Sequence, residues 1–304
     1  MSTAEQTPPV TDIYQPRRSR RGFAWQRLLH DWAALLGLVV VVVVVGAAVF
    51  SPLVAPHDPL QQDLGRRLLP PAWQEGGEPD YLLGCDPLGR DILSRIIFGA
   101  RISLIVGVLA VLIRGSGGVL LGLSSGYYGG WLDSVLMRLG DTQMALPFLV
   151  LALAIMSVLG PGLRNVIVVL GITGWVLYAR VVRGEVLALR ESEFVEAARV
   201  VGVRTGRILG KHILPNAAAS VIVVATLDIA QMIILEASLS YLGMGVQPPT
   251  PSWGSMVADG RDYLSTQWWV STFPGLAIFV TVMAINLVGD WLRDVLDPTT
   301  RGTS

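Results

Sequence analysis

The sequence has few of the residues that form covalent cross-links, metal sites and nucleotide-binding loops. Its 304 residues include one cysteine, Cys85, which excludes an internal disulfide and a Cys-x-x-Cys metal site. Its three histidines lie far apart and show no zinc-site spacing. A single lysine, Lys211, follows Gly210 as in a Walker A loop. Such a loop also needs glycine in place of Thr205 and serine or threonine in place of His212. The chain is therefore predicted to have no metal site, no catalytic residues and no cofactor of its own.

Charge is also scarce. Charged residues make up 15% of the chain, whereas a soluble domain has about 25%. Hydrophobic residues make up 52%, and the mean hydropathy is +0.56. The formal net charge is zero, and no nucleic-acid partner is predicted. This composition indicates that a lipid bilayer surrounds much of the chain.

Six apolar runs are long enough to suggest membrane spans, since about 20 apolar residues cross a bilayer core of ~30 Å. They are residues 32–50, 102–125, 144–159, 166–178, 217–235 and 270–288. The first run has an alternative interpretation as a cleaved signal peptide, but it exceeds the apolar core of about 7–15 residues that is typical of one. The prediction is an all-α integral membrane protein with about six transmembrane helices.

The polar segments divide the chain further. Residues 1–30 are predicted to be a cytoplasmic tail. Residues 31–100 hold the first span, an external loop and an interfacial helix at 87–101. Residues 101–292 form the transmembrane core, and 293–304 a second cytoplasmic tail. Basic residues are roughly twice as numerous on the side of the N-terminus, so the positive-inside rule places both termini in the cytoplasm.

Three glycines in the second predicted span are spaced four apart. Gly118 and Gly122 form a Gly-x-x-x-Gly pattern, and Gly126 extends it. Small residues at this spacing let two helices approach closely. The pattern favours a packing face, although glycines are also simply tolerated in membrane helices.

Two charged residues lie near the middle of predicted spans. A charge at the bilayer centre costs about 2.5–3.5 kcal/mol on insertion scales, so such residues usually face a bundle interior or a wet cavity. Arg114 and Asp228 have similar predicted depths, which favours a mutual ion pair. Alternatively one or both line a water-filled path through the membrane, or Arg114 extends its charge toward the membrane surface. Glu236 is interpreted as an interfacial acid, and Asp133 and Asp141 as members of local helix pairs.

The charge-rich stretch between the fourth and fifth spans predicts a helix–turn–helix on the cytoplasmic face. A first helix covers 193–201, with Phe194, Ala197, Ala198 and Val201 on one side as an apolar ridge. Gly202 ends it, because glycine adopts positive φ at low cost. A second short helix is expected at 205–212. The alternative is an amphipathic loop lying on lipid.

This stretch resembles the coupling motif of ATP-binding-cassette importer permeases. The residues that carry the resemblance are Glu-Ala-Ala at 196–198, Gly202 and the pair Leu214-Pro215. The stretches 85–95, 99–104, 236–254 and 286–298 resemble the C-type permeases of dipeptide and oligopeptide importers. The sequence departs from that pattern at Cys85, where threonine is usual, at His212, where isoleucine is usual, and at Arg114, where a small or apolar residue is expected.

The resemblance implies one half of a membrane channel that imports di- or oligopeptides. It implies a homologous second permease, two ATPase subunits that bind ATP and magnesium, and an external substrate-binding protein. The residues implied to contact or position an ATPase are Glu193, Glu196, Ala197, Ala198, Gly202, Leu214 and Pro215. The implied location is the inner membrane.

Three alternatives differ in function class. A permease of the same architecture for nickel, glutathione or another small solute shares every feature above. A secondary transporter or channel would need no ATPase, and the coupling motif argues against it. An intramembrane enzyme would need paired catalytic groups at membrane depth, whereas Asp228 is the only acid near the middle of a predicted span.

Overall fold

The structure is a computed structural model and describes residues 31–296. The predicted tail at 1–30 and residues 297–304 of the second predicted tail lie outside the described range. The last helix continues to Leu296, past the predicted start of that tail at 293.

The described residues are helical, apart from connecting turns and one isolated β-bridge between Cys85 and Asp91. Two 3-10 turns cover Leu64–Arg66 and Arg261–Tyr263, and a π-helical turn covers Leu209–Ile213. In chain order the α-helices are α1 (Trp32–Val49), α2 (Ser51–Val54), α3 (Ile92–Tyr128), α4 (Gly130–Met144), α5 (Phe148–Leu159), α6 (Leu163–Ile172), α7 (Trp175–Leu189), α8 (Glu193–Val200), α9 (Thr205–Ile208), α10 (Leu214–Tyr241), α11 (Trp253–Gly260) and α12 (Trp269–Leu296).

Five segments within 31–296 are long and apolar enough to cross a membrane. They are α1, α3, the pair α6–α7 (Leu163–Leu189), the run from α9 through α10 (Thr205–Tyr241), and α12. The pair α4–α5 is a sixth candidate, bent by 91°. The prediction of an all-α membrane protein with about six spans is confirmed.

Two predicted helices do not exist as separate elements. The interfacial helix at 87–101 is wrong, because α3 begins at Ile92 and runs unbroken to Tyr128. The Asp91 carboxylate caps its first turn by accepting from Ser94 N at 2.9 Å. No proline interrupts this helix, and it ends at Gly129, where φ is +62°. The second short helix predicted at 205–212 begins at Thr205 as expected but does not end at His212, because the π-helical turn joins α9 to α10.

Two of the candidate spans are interrupted, the fourth inside its predicted range of 166–178 and the third at the start of its predicted range of 144–159. The third bends between α4 and α5, where Pro147 cannot continue the preceding helix. The fourth breaks between α6 and α7 at Thr173 and Gly174. The two breaks touch: the Gln143 amide donates to Thr173 O, and Trp175 Nε1 donates to the Gln143 side-chain oxygen at 3.0 Å. Side chains thus supply hydrogen bonds that the interrupted helices lack.

Helix α3 is the central helix, since it packs against α1, α6, α7 and α10. The predicted glycine face is confirmed and lies against α7. A Cβ atom added to Gly122 would lie 2.6 Å from Ala179 O, and one added to Gly126 would lie 2.7 Å from Val186 Cβ. Only glycine permits this approach of the two backbones.

The two ends of the bundle differ. One end carries the connection from α7 to α9, next to the C-terminal end of α3. The other carries the segments 55–91 and 242–268, which meet at the start of α3. There Trp253 Nε1 donates to Ile96 O at 2.9 Å. Buried Asp86 binds Arg90 at 2.7 Å and also pairs with Arg95, an arginine predicted to be interfacial that is buried instead.

The first prediction concerns the glycine face. Gly122→Ala should destabilise the protein by about 1–3 kcal/mol, because the new methyl group meets a backbone atom that cannot move aside. Gly117→Ala on the same helix is the matched control, since a Cβ atom there has no neighbour within 4 Å. Thermal unfolding of both variants in detergent measures the difference. Equal unfolding temperatures would contradict the packing described.

The second prediction concerns Cys85, which precedes α3 and is 0% exposed. Burial, reinforced by the Asp91 and Asp86 carboxylates, raises the pKa of its thiol to about 12. The reactive thiolate is therefore scarce at about pH 7 and still at about pH 9. Maleimide should not label Cys85 in native membranes at either pH and should label it after denaturation. A Leu82→Cys variant should label in native membranes, since Leu82 is 51% exposed. Native labelling of Cys85 at a similar rate would refute the buried environment.

Candidate functional site

Residues 190–204 connect α7 to α9 and contain α8; this segment is called the hairpin below. Helix α8 ends in a Schellman motif: Gly202 N donates to Arg199 O at 2.9 Å, and Val203 N donates to Ala198 O at 3.0 Å. Gly202 has φ +79°, so the predicted glycine turn is confirmed. The turn sends the chain back toward the helix bundle.

The inner face of the hairpin is apolar. Val195 of α8 is fully buried against Ile208 and Ile213, and the cluster continues into Val186 of α7 and Leu123 of α3. Two polar contacts reinforce this packing. The Arg199 guanidinium lies 5.2 Å from the centre of the Tyr127 ring, and Arg190 Nη1 donates to Gly126 O at 3.0 Å. The hairpin is therefore fixed to the ends of α3 and α7.

The outer face combines acids with exposed apolar side chains. Glu193, Glu196, Ala197 and Gly202 are exposed, as are Phe194, Val200 and Val201. Val200 and Val201 are 83% and 82% exposed. The predicted ridge is correct for Phe194, Ala197 and Val201, whereas Ala198 is half-buried and packs inward. An exposed apolar tip flanked by charges is typical of a protein-docking surface.

Leu214 and Pro215 lie on the segment that leads from the hairpin back into the bundle. Leu214 is half-buried against the hairpin cluster, and Pro215 is exposed in the first turn of α10. The π-helical turn precedes them, with Leu214 N donating to Leu209 O five residues back. This wider turn leads directly into Pro215, which has no N–H to donate. His212 contacts the Phe194 ring, with the two centroids 6.3 Å apart.

Arg114 and Asp228 are brought together in the middle of the bundle. Arg114 Nη1 lies 3.0 Å from Asp228 Oδ1 and 3.0 Å from Met232 Sδ. Arg114 is 6% exposed and Asp228 5%. Opposite charges that are removed from water and paired largely neutralise one another. The structure thus contains the ion pair that their similar depth suggested.

Sequence reasoning missed two further members of this group. The Tyr178 hydroxyl donates to Asp228 Oδ2 at 2.9 Å, and Tyr178 is 1% exposed. Gly174 lies directly beside the Arg114 guanidinium, where an added Cβ atom would overlap it. We call Arg114, Tyr178, Asp228 and Gly174 the polar cluster. A tyrosine at the end of a predicted span was the available signal for Tyr178; nothing in the sequence marked Gly174.

Three other acids occupy places that differ from their predicted ones. Glu236 is fully buried rather than interfacial, and it accepts from Ser240 Oγ at 2.7 Å and Ser103 Oγ at 3.2 Å. Asp133 and Asp141 do not form local pairs. They bind Arg183 and Arg180 of α7, the former at 2.5 Å. These ion pairs hold α4 along α7.

Within residues 31–296, no three His, Cys, Asp or Glu side chains are grouped as a metal-binding set. The described groups with functional potential are the exposed outer face of the hairpin at one end of the bundle and the polar cluster at its middle. Such an arrangement is suited to transmitting movement between helices.

Two family descriptions match the sequence. Residues 118–302 match the family described as binding-protein-dependent transport system inner membrane component. Residues 20–71 match the family described as the N-terminal TM domain of oligopeptide transport permease C.

Individual proteins are similar over nearly the whole chain. A di/tripeptide transport system permease protein, DppC, of Pseudomonas aeruginosa is 46% identical over 274 residues, 90% of each chain. A dipeptide transport system permease protein, DppC, of Haemophilus influenzae is 42% identical over 290 residues, covering 95% of this chain and 97% of that one. Among solved structures, the inward-facing MetNI methionine ABC transporter matches with a TM-score of 0.53 at 20% identity, over 67% of this chain and 96% of that chain. The last likeness concerns the fold.

The third prediction concerns the buried ion pair. Arg114→Ala leaves the Asp228 carboxylate buried without its cation, which costs about 3–5 kcal/mol. The double variant Arg114→Ala, Asp228→Ala removes both charges and should be more stable than the single variant. Arg101→Ala is the matched control, because Arg101 is exposed on the same helix. Thermal unfolding in detergent measures the order of stability of these variants. Equal destabilisation of the single and double variants would contradict the prediction.

Proposed function

Because this chain belongs to the family of binding-protein-dependent transport inner-membrane components, we propose that it is the permease subunit of an ATP-driven importer of small peptides. In this proposal it forms half of the translocation pathway and receives force from ATPase partners. A homologous permease forms the other half, and an external binding protein delivers the substrate.

The hairpin is the observation that carries the coupling proposal. Its inner face is fixed to α3 and α7, and its outer face presents Phe194, Val200 and Val201 beside Glu193 and Glu196. Apolar anchors give a docked helix its affinity, and charges at the rim fix its register. A rigid connection behind the docking surface is what allows a partner's movement to be transmitted instead of being absorbed.

In the proposed orientation the hairpin and both termini face the cytoplasm. This agrees with the excess of basic residues on that side. The segments 55–91 and 242–268 then face outward, because they lie at the opposite end of the bundle. ATPase subunits contact the hairpin, and the binding protein approaches the other end. ATP and magnesium are held by the ATPases.

The substrate class rests on the relatives. The similar proteins of Pseudomonas aeruginosa and Haemophilus influenzae are named as di/tripeptide and dipeptide transport permeases. Their similarity extends over at least 90% of this chain. We therefore propose di- and tripeptides as the principal substrates.

The fourth prediction tests substrate and coupling together. Cells with and without the gene are given labelled di-, tri- and pentapeptides, glutathione and nickel ion under energised conditions. Deletion should abolish uptake of the short peptides. Glu196→Lys with Gly202→Asp should lower that uptake by about tenfold or more, because a reversed charge and an added charge on the docking surface oppose the charge complementarity that fixes its register. The second change also places a side chain at a positive φ.

A charge reversal outside both the hairpin and the external segments serves as the control. Asp290→Lys alters an exposed acid of α12 and should leave uptake near the wild-type level. If deletion abolishes uptake of nickel or glutathione and leaves peptides unaffected, the substrate class is wrong. If the hairpin variant imports peptides normally, the coupling role of the hairpin is wrong.

A further inference from the structure

Two segments connect the hairpin to the bundle, and we call them its arms. The first arm is α7, which leads from the polar cluster to the hairpin. The second arm is the segment Thr205–Tyr241, which leads from the hairpin back to Asp228. Tyr178 lies on the first arm, Asp228 on the second and Arg114 on the central helix α3. The cluster therefore joins the three helices that surround the inner side of the hairpin.

The two arms are in contact at three levels between the hairpin and the cluster. The apolar hairpin cluster, which includes Val186 and Ile213, is the first. Above it, Ser220 Oγ donates to Glu185 Oε1 at 2.6 Å. The third is the hydrogen bond from the Tyr178 hydroxyl to Asp228. Contacts at successive levels resist both separation and sliding of the arms.

The contacts at the third level are directional, whereas the apolar contacts at the first level are not. Apolar contacts are non-directional, so helices held by them alone can shift in register. Hydrogen bonds and ion pairs weaken steeply when distance or angle changes. Because Asp228 binds Tyr178 through one oxygen and Arg114 through the other, it fixes its own helix relative to two neighbours at once.

The joined unit ends where the fourth span breaks. Gly174 separates α6 from α7 beside the Arg114 guanidinium. The neighbouring break between α4 and α5 lies at the same level of the bundle, because Gln143 is hydrogen-bonded to Thr173 and Trp175. Segment ends of this kind are where hinge motions are absorbed. On the other side of Gly174, α6 is not part of the continuous helix that leads to the hairpin.

We propose that Arg114, Tyr178 and Asp228 are positioning residues for transport, which hold α3, α7 and the returning arm of the hairpin together as one rigid unit up to the break at Gly174. A displacement of the hairpin then reaches the middle of the membrane undiminished. The proposal rests on the proposed function, because it assumes that partner ATPases move the hairpin.

The first test measures how many ATP molecules are hydrolysed per peptide imported. The complete importer, with both permeases, both ATPases and the binding protein, is reconstituted in proteoliposomes and supplied with labelled dialanine. Tyr178→Phe removes one hydroxyl group and keeps the ring. ATP hydrolysis should persist, while peptide imported per ATP should fall roughly threefold to tenfold, the population shift expected from one lost hydrogen bond. Tyr128→Phe, at an exposed tyrosine of α3, should match the wild type.

The second test does not depend on the folding of Tyr178→Phe. Cysteines replace Glu185 and Ser220 in a Cys85→Thr background, and a short reducible bis-thiol reagent joins the two arms. If the arms move as one unit, uptake of dialanine should be the same before and after cross-linking. Loss of uptake on cross-linking, with recovery on reduction, would show that the arms move against each other and would overturn the proposal.

The outcomes distinguish failure of the proposed function from failure of the positioning role. If the wild-type importer does not couple ATP hydrolysis to peptide uptake, the proposed function fails and this proposal fails with it. If the wild type couples and Tyr178→Phe is equally efficient, the proposed function stands and the positioning role is wrong. A lower transport ratio with normal cross-linked uptake supports both.

Discussion

The core of a bilayer offers no water to bond a peptide group or solvate a charge, and most of this structure follows from that constraint. Backbone groups are satisfied within long helices. Where the third and fourth spans are interrupted, Gln143 and Trp175 supply side-chain hydrogen bonds to the broken region. Arg114 and Asp228 are tolerated at the middle of the bundle because each neutralises the other. These polar groups are thus each paired with a specific neighbour.

The same constraint explains the importance of small residues. Lipid tails are as apolar as leucine, so helices in a membrane gain little by hiding apolar side chains from lipid. Close packing takes over this role, and the glycines of α3 allow α7 to approach its backbone directly. That approach also brings Tyr178 and the break at Gly174 next to Arg114. The packing face and the polar cluster are therefore two consequences of one helix contact.

The hairpin connects this interior to the surface. Val195 secures it from within, while Val200 and Val201 stand exposed at its tip. An exposed apolar tip on a rigid base is unfavourable in an isolated subunit and favourable in a complex, which agrees with the proposed docking of an ATPase on the hairpin. The polar cluster extends that base to the middle of the membrane. In the proposed mechanism, the docking surface, the two arms and the polar cluster move as one rigid unit.

Patterns that depend on neighbouring residues were readable from the sequence. The all-α membrane class follows from apolar run lengths, the turn at Gly202 from the glycine after an amphipathic helix, and the packing face from spacing along α3. Similar depth in the predicted spans also suggested the pairing of Arg114 with Asp228, but tertiary structure alone decided which other distant residues meet. Tyr178 and Gly174 joined Arg114, the expected interfacial acid Glu236 became buried beside serines, and Asp133 bound an arginine 50 positions away. Such pairings depend on how helices cross and where spans break, and local sequence patterns carry no record of either.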